Sequence, residues 1–346
     1  MSTSILNSEI HEQPEVIHEL LEKEASNVAH ICKDLRNRFK YVVIAARGTS
    51  DNAARYAQYL FGAHNHLQIA LATPSLFSLY DEPPDLSEAL VIGISQSGQS
   101  PDIVSVLAEG KRQGRPTLAL VNTAQSPLYN TADYVIPLHA GVERAVAATK
   151  TYTSSLAALA LLSCSLAEDS KRIDELKSIP HAIQRSFSAL EPAIEHVERY
   201  RYMEHCNVIG RGYNYSTTFE VALKVKELTR VVAEPYSSAD FRHGPIATVY
   251  RGFPVILIAP QGIISADLNS LVINLNQLGA ELLIISDDLN LLSIADLPLP
   301  IPSGFPEWVT PLFAIIPGQL FAARLAAEKG FNPDQPEGLH KVTETF

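Results

Sequence analysis

The sequence predicts an α/β protein built from two tandem copies of one doubly wound parallel sheet. Two observations carry this. β-Branched runs alternate with stretches of helical apolar spacing along the whole chain. The alternation then repeats at a fixed offset: Arg47-Gly48 returns as Arg211-Gly212 and Gly98 as Gly262 (211 − 47 = 262 − 98 = 164). At 346 residues, 46% hydrophobic and 19% charged, the chain is long enough for two cores of about 150 residues each.

The elements follow in order. Residues 1–34, beginning MSTSILNSEIHEQPEV, read as a helical segment. The first copy, 35–178, opens with the strand YVVIAARG (41–48) and the helix-like NAARYAQYLFGAH. ALVIGIS (89–95) is the next strand, followed by DIVSVLAEGKRQG (102–114) with apolar residues at helical spacing. TLALVN (117–122), YVIPL (134–138) and a long apolar helix TKTYTSSLAALALLSCSLAE complete this copy. The linking segment 179–204 carries most of SIPHAIQRSFSALEPAIEHVERY (178–200), expected as a helix packed between the copies. The second copy, 205–332, repeats the pattern with CNVIGRGYN (206–214), FPVILIAPQG (253–262) and ELLIISDD (281–288), and a tail, 333–346, follows.

Composition removes several functions. A net charge of −11 without a long Lys/Arg cluster argues against nucleic acid and against an anionic membrane surface as partners. The start has neither the basic nor the apolar region of a signal peptide. The apolar run at 155–168 is too short to span a bilayer, and 308–327 is broken by Pro311, Pro317, Gln319 and Arg324. A soluble, cytoplasmic protein is therefore expected. Cys32, Cys164 and Cys206 are odd in number, far apart and in no metal spacing, so they read as free thiols.

The turn SQSGQS after the second strand holds more hydroxyls than a turn requires. Its counterpart in the second copy reads PQGIIS, so the fold can make the same turn without them. In open α/β sheets ligands sit beyond the carboxyl ends of the strands, where helix N-termini favour anions. Ser95, Gln96, Ser97 and Ser100, with Ser50 from RGTSDN, would there surround a phosphate. The plain alternative is that Ser100-Pro101-Asp102 is only a good helix start. Neither GxxxxGK[ST] nor GxGxxG is present, which argues against a nucleotide loop. In FEVALKVKEL, Glu220, Lys224 and Glu227 share one helix face. A solvated salt-bridge ladder would have the same spacing.

Several separated motifs carry a resemblance. SQSGQSPD, the RGTS turn and AVAATKTYTSSLAAL (145–159) resemble the SIS (sugar isomerase) phosphosugar-binding domain. Two such domains with EVALKVKEL, AEPYSSADFRHGP and the terminal DQPEGLHKVTETF resemble the isomerase half of glucosamine-6-phosphate synthases, nearly end to end from EIHEQP (9–14). The opening Met-Ser-Thr leads us to expect no glutaminase domain ahead of it. Arg47 where synthases carry cysteine, ATPSLFSLY (72–80) and the ending KVTET are more similar to the stand-alone SIS-type glucosamine-6-phosphate deaminases.

The resemblance implies two flavodoxin-like SIS domains and a metal-free isomerase that needs no cofactor. It places Glu227 as the isomerase base, with Glu220 and Lys224 lining and ordering the site. It makes His243 the ring-opening acid–base group, given by the partner subunit of a homodimer. The tail would fold over the sugar, and Lys341 would form a Schiff base with the open-chain ketose. Arg47, Gly48 and Thr49 belong to the phosphate turns, while Glu143 and the strip from Val146 through Ala148 to Lys150 resemble the part that contacts sugar hydroxyls. The expected reaction is glucosamine 6-phosphate plus water giving fructose 6-phosphate plus ammonia. The alternatives are the aminating direction, a deglycase acting on an amine-linked sugar phosphate, and a non-catalytic phosphosugar sensor.

Overall fold

Residues 4–341 are described, from a computed structural model of the protein. They begin with the long helix α1 (Ile5–Leu35), which continues through Pro14. The first copy then runs β1 (Tyr41–Ala45), α2 (Thr49–Asn65), β2 (Gln68–Leu71), α3 (Ser75–Ser78), β3 (Ala89–Ser95), α4 (Pro101–Arg112), β4 (Thr117–Val121), α5 (Pro127–Thr131), β5 (Tyr134–Pro137), α6 (Lys150–Leu166) and α7 (Ser170–Lys177). After α8 (Ile179–Glu195), the second copy runs β6 (His205–Gly210), α9 (Tyr215–Thr229), β7 (Val232–Ser237), α10 (Ser238–Arg242), β8 (Pro254–Ile258), α11 (Ser265–Gln277), β9 (Glu281–Ser286), α12 (Leu289–Ser293), β10 (Leu297–Pro300) and α13 (Pro311–Glu328).

Each copy forms a five-stranded parallel sheet, in the orders β2-β1-β3-β4-β5 and β7-β6-β8-β9-β10. These are one topology, the flavodoxin-like order, written twice. Three of the five strand starts keep the sequence offset (205 − 41 = 232 − 68 = 281 − 117 = 164) and the other two depart from it by one residue (254 − 89 = 165; 297 − 134 = 163). Helix pairing repeats as well, α2 against α6 and α9 against α13. The second pair approaches closely at Gly318, where a Cβ would stand 2.5 Å from Val221 Cγ2.

β3, β4 and β8 are buried at every residue, because helices cover both faces, and so they read as unbroken apolar runs. Three strands escaped the sequence reading: β2 (QIAL), β7 (VAEPYS) and β10 (LPLP). All three are edges, pairing with a single neighbour. Pro235, Pro298 and Pro300 are tolerated there because an edge strand has no second ladder to donate to.

The chain divides into two compact units. The first-copy unit holds Glu12–Glu143, Lys150–Ser178 and the described residues from His340 on. The second-copy unit holds the described residues up to His11, with Arg144–Thr149 and Ile179–Leu339. Within the latter, α8 lies against α13 and β10 and passes into a 3₁₀ turn, His196–Tyr200. Also within it, the Asp334 carboxylate accepts from the N–H groups of Ile5 (3.1 Å) and Leu6 (2.8 Å), satisfying amides that the first turn of α1 cannot.

Cys32, Cys164 and Cys206 are free and buried, and burial pushes each thiol up to about 12. The thiolate fraction at pH 8 is then about one in ten thousand. Iodoacetamide is accordingly expected to leave the folded protein unlabelled at pH 8 and to label it fully in denaturant, as read by intact mass. Among the described residues no helix is long and apolar enough to cross a membrane.

Candidate active site

The order β2-β1-β3 makes the carboxyl ends of β1 and β3 the topological switch point of the first sheet, the place where such folds take ligands. Two turns leave these strands and open α2 and α4. Gly48 caps α2 with φ +52, and Thr49 and Ser50 form its first residues, both partly exposed. In the second turn Ser95 is buried, and its Oγ accepts from Gly98 N at 2.9 Å. That oxygen shapes the turn, leaving the Ser95 O–H to donate elsewhere. Gly98 has φ +64, and a Cβ there would meet Ser126 Oγ at 2.1 Å, so glycine alone fits.

Ser97 and Gln96 are partly exposed; Ser97 Oγ accepts a long bond from Gln99 N at 3.3 Å, and the Gln96 carbonyl accepts from Thr123 Oγ1 at 3.3 Å. Ser100 occupies the N-cap position of α4, yet its hydroxyl accepts no capping bond. A helix-start account therefore leaves this hydroxyl without a use. The same turns present N–H groups at the positive ends of two helices, of 17 and 12 residues. Arg47 Nε donates to the buried Asp102 carboxylate at 2.8 Å, tying the first turn to the first turn of α4.

Gln96 also lines a cavity of about 750 Å³ at this edge, with Asn122, Thr123, His139 and Glu143. Sequence reading passed over Asn122 and His139, although both follow the carboxyl end of a strand, where a ligand is expected. His139 is paired with Glu24 at 2.6 Å. Glu143 is buried and accepts from Thr151 N (3.2 Å), Thr151 Oγ1 (2.8 Å) and Lys341 Nζ (3.1 Å). Composition suggests a frayed tail at Lys341, but this ion pair, with the lysine half-buried, holds it. The rest of the expected closing tail, 342–346, lies outside the described residues.

The second-copy unit carries the Glu220–Lys224–Glu227 face of α9. Lys224 Nζ is 2.6 Å from Glu227 Oε2 and 3.3 Å from Glu220 Oε1. Side-chain exposure separates the carboxylates: 0% for Glu220 and 2% for Lys224, but 23% for Glu227. A solvated ladder would expose all three. Burial alone would lower the Lys224 pKa, but the two carboxylates beside it outweigh that and raise it, so the lysine stays charged. The result is a sealed Glu–Lys pair with one further carboxylate open to a reactant.

Val146 and Ala148 belong to the same unit. Both are partly exposed, between the buried Ala145, Ala147 and Thr149, in a bent segment that leads into α6. The strip is anchored by Val146 N to Asp334 O (3.2 Å) and by Arg144 N to Glu9 Oε1 (2.5 Å). His243 ends α10 and is exposed; its N–H donates to Asp240 O at 3.0 Å, and its ring makes no hydrogen bond among the described residues.

A duplicated doubly wound sheet with donor-rich turns at one switch point defines an α/β scaffold suited to binding an anionic ligand. The chain belongs to the SIS domain family, which matches residues 35–164 and 203–328 and so covers both copies. It is 33% identical, over 342 residues, to the glutamine–fructose-6-phosphate aminotransferase (isomerizing) of Pyrococcus horikoshii, and 32% identical to that of Aquifex aeolicus. The alignments take in 96% of this chain but 56% of those proteins, which correspond to it through their isomerase half. Among solved structures it is similar to the C-terminal domain of glucosamine-fructose-6-phosphate aminotransferase from Francisella tularensis, with 26% identity, TM-score 0.87 and coverage of 96% and 98%. It shares its fold with the glucosamine-6-phosphate deaminase of Thermotoga maritima, at 22% identity and TM-score 0.80, covering 99% and 100%.

Proposed function

We propose that this protein is a phosphosugar isomerase that converts glucosamine 6-phosphate and water to fructose 6-phosphate and ammonia. The observation that carries the reading is the buried Lys224 between a sealed Glu220 and an accessible Glu227. Aldose–ketose interconversion moves a proton between C1 and C2, and an accessible carboxylate kept beside a charged lysine suits that task. The phosphate is taken by Ser50, Ser95, Gln96, Ser97 and Ser100, with the N–H groups around Gly48 and Thr49. Val146 and Ala148 face the sugar. His243, supplied by the partner subunit of a homodimer, opens the ring. Glu227 takes the C2 proton and returns it at C1, leaving an imine at C2. Lys341 displaces ammonia from that carbon, and water releases fructose 6-phosphate from the lysine adduct.

Incubation with glucosamine 6-phosphate is expected to yield equimolar ammonia and fructose 6-phosphate. Release from a galactosamine or amine-adduct phosphate instead would overturn this substrate assignment. Binding without turnover of any of these would point to a sensor. Ser97→Ala is expected to weaken substrate affinity about tenfold, the loss of one hydrogen bond to an anion, with kcat little changed. Unaltered affinity would count against the phosphate assignment. A second reading, the aminating direction, is favoured by the 33% identity to an aminotransferase. Fructose 6-phosphate with ammonium salts tests it directly.

A further inference from the structure

The switch point of the second sheet holds an anion of its own. Glu307 Oε2 accepts from Ile263 N at 2.9 Å in the turn that opens α11. The carboxylate lies against two glycines: a Cβ would meet Glu307 Oε2 at 2.4 Å from Gly262 and Glu307 Oε1 at 3.3 Å from Gly212. These are the counterparts of Gly98 and Gly48 (262 − 98 = 212 − 48 = 164), the glycines of the two phosphate turns. The arginine brace is duplicated too, since Arg211 Nη1 holds Asp267 of α11 at 2.9 Å as Arg47 holds Asp102 of α4. The second copy thus keeps the two glycines, with the positive φ retained at Gly212 but not at Gly262, together with the arginine brace and the 13-residue helix behind them, and places a carboxylate within.

The geometry points to Glu307 as a built-in surrogate for phosphate, filling a latent oxyanion site in the second copy and limiting the chain to one phosphate. This rests on the phosphate reading of the first copy. Ile263 N–H and the hydroxyl of Ser265, which now accepts from Gly262 N at 2.7 Å, are the donors an entering oxyanion would meet. Removing the carboxylate frees the Ile263 N–H and leaves space between the two glycines.

Inorganic phosphate binding, counted per chain by equilibrium dialysis, tests it. The expected stoichiometries are one for the wild type and two for Glu307→Ala, while Ser97→Ala/Glu307→Ala keeps two sites with one of them about tenfold weaker. Glu307→Gln, which keeps a side chain of the same shape between the glycines, is expected to bind one. Equal binding by wild type and Glu307→Ala would overturn the inference. No binding to the wild type with one site in Glu307→Ala would sustain it while removing the first-copy reading. Should Glu307→Ala fail to fold, phosphate is expected to restore its far-UV circular dichroism, and lack of rescue would overturn the inference.

Discussion

Glu227→Gln is expected to lower turnover of glucosamine 6-phosphate by about 10³-fold while leaving sugar-phosphate binding within about twofold of the wild type. The amide keeps the shape and can still accept from Lys224, but it cannot take a proton from C2. The turns proposed to take the phosphate lie in other residues and are untouched by the substitution. Rapid-quench turnover and equilibrium binding, measured on one preparation, separate the two effects. A variant retaining a tenth of wild-type turnover would remove Glu227 from the base role. Joint loss of binding and turnover would make it a positioning residue.

Lys224→Met carries the largest expected cost in stability, about 3–5 kcal/mol by urea unfolding. It removes the ammonium that Glu220, at 0% exposure, is paired with, and leaves a carboxylate sealed in the α9 interface. Breaking one member of a buried pair costs more than losing both. The double variant Glu220→Gln/Lys224→Met should therefore recover a good part of the loss. A cost below about 1 kcal/mol would mean that the pair is effectively solvated.

Particular elements show what could be read from sequence. The duplicated sheet was legible because central strands covered on both faces become continuous apolar runs, and because Gly98 and Gly262 mark the same turn. The edges were not. β2 is only four residues long and half-exposed, and β7 and β10 carry prolines, so nothing in their composition separates them from loops. The hydroxyls of the SQSGQS turn were legible as a surplus. That the Ser95 oxygen goes to Gly98 N, and that Arg47 reaches Asp102 55 residues on, depends on tertiary approach that no local pattern encodes. The spacing of Glu220, Lys224 and Glu227 fits a surface ladder and a buried pair equally well; only tertiary burial of α9 decides between them. For Glu307 a signal existed, since it lies one repeat beyond Glu143 (307 − 143 = 164).

The membership of the second-copy unit has a practical consequence for dissecting the gene. Its helices and sheet lie within 179–339, but it also draws on the start of α1 and on 144–149. Asp334 is a junction for both, its carboxylate capping Ile5 and Leu6 and its carbonyl accepting from Val146. A fragment expressed from residue 179 onward would lose these partners and bare the surfaces that they cover. A fragment ending at residue 143 would strip away the strip carrying Val146 and Ala148 and break α6 from its own sheet. Since these contacts join segments more than 180 residues apart, their closure should come late in folding. Domain-swap chimeras with other members of the family are better built with residues 5–11 and 144–149 taken from the same parent as 179–339 than by a single cut after residue 178.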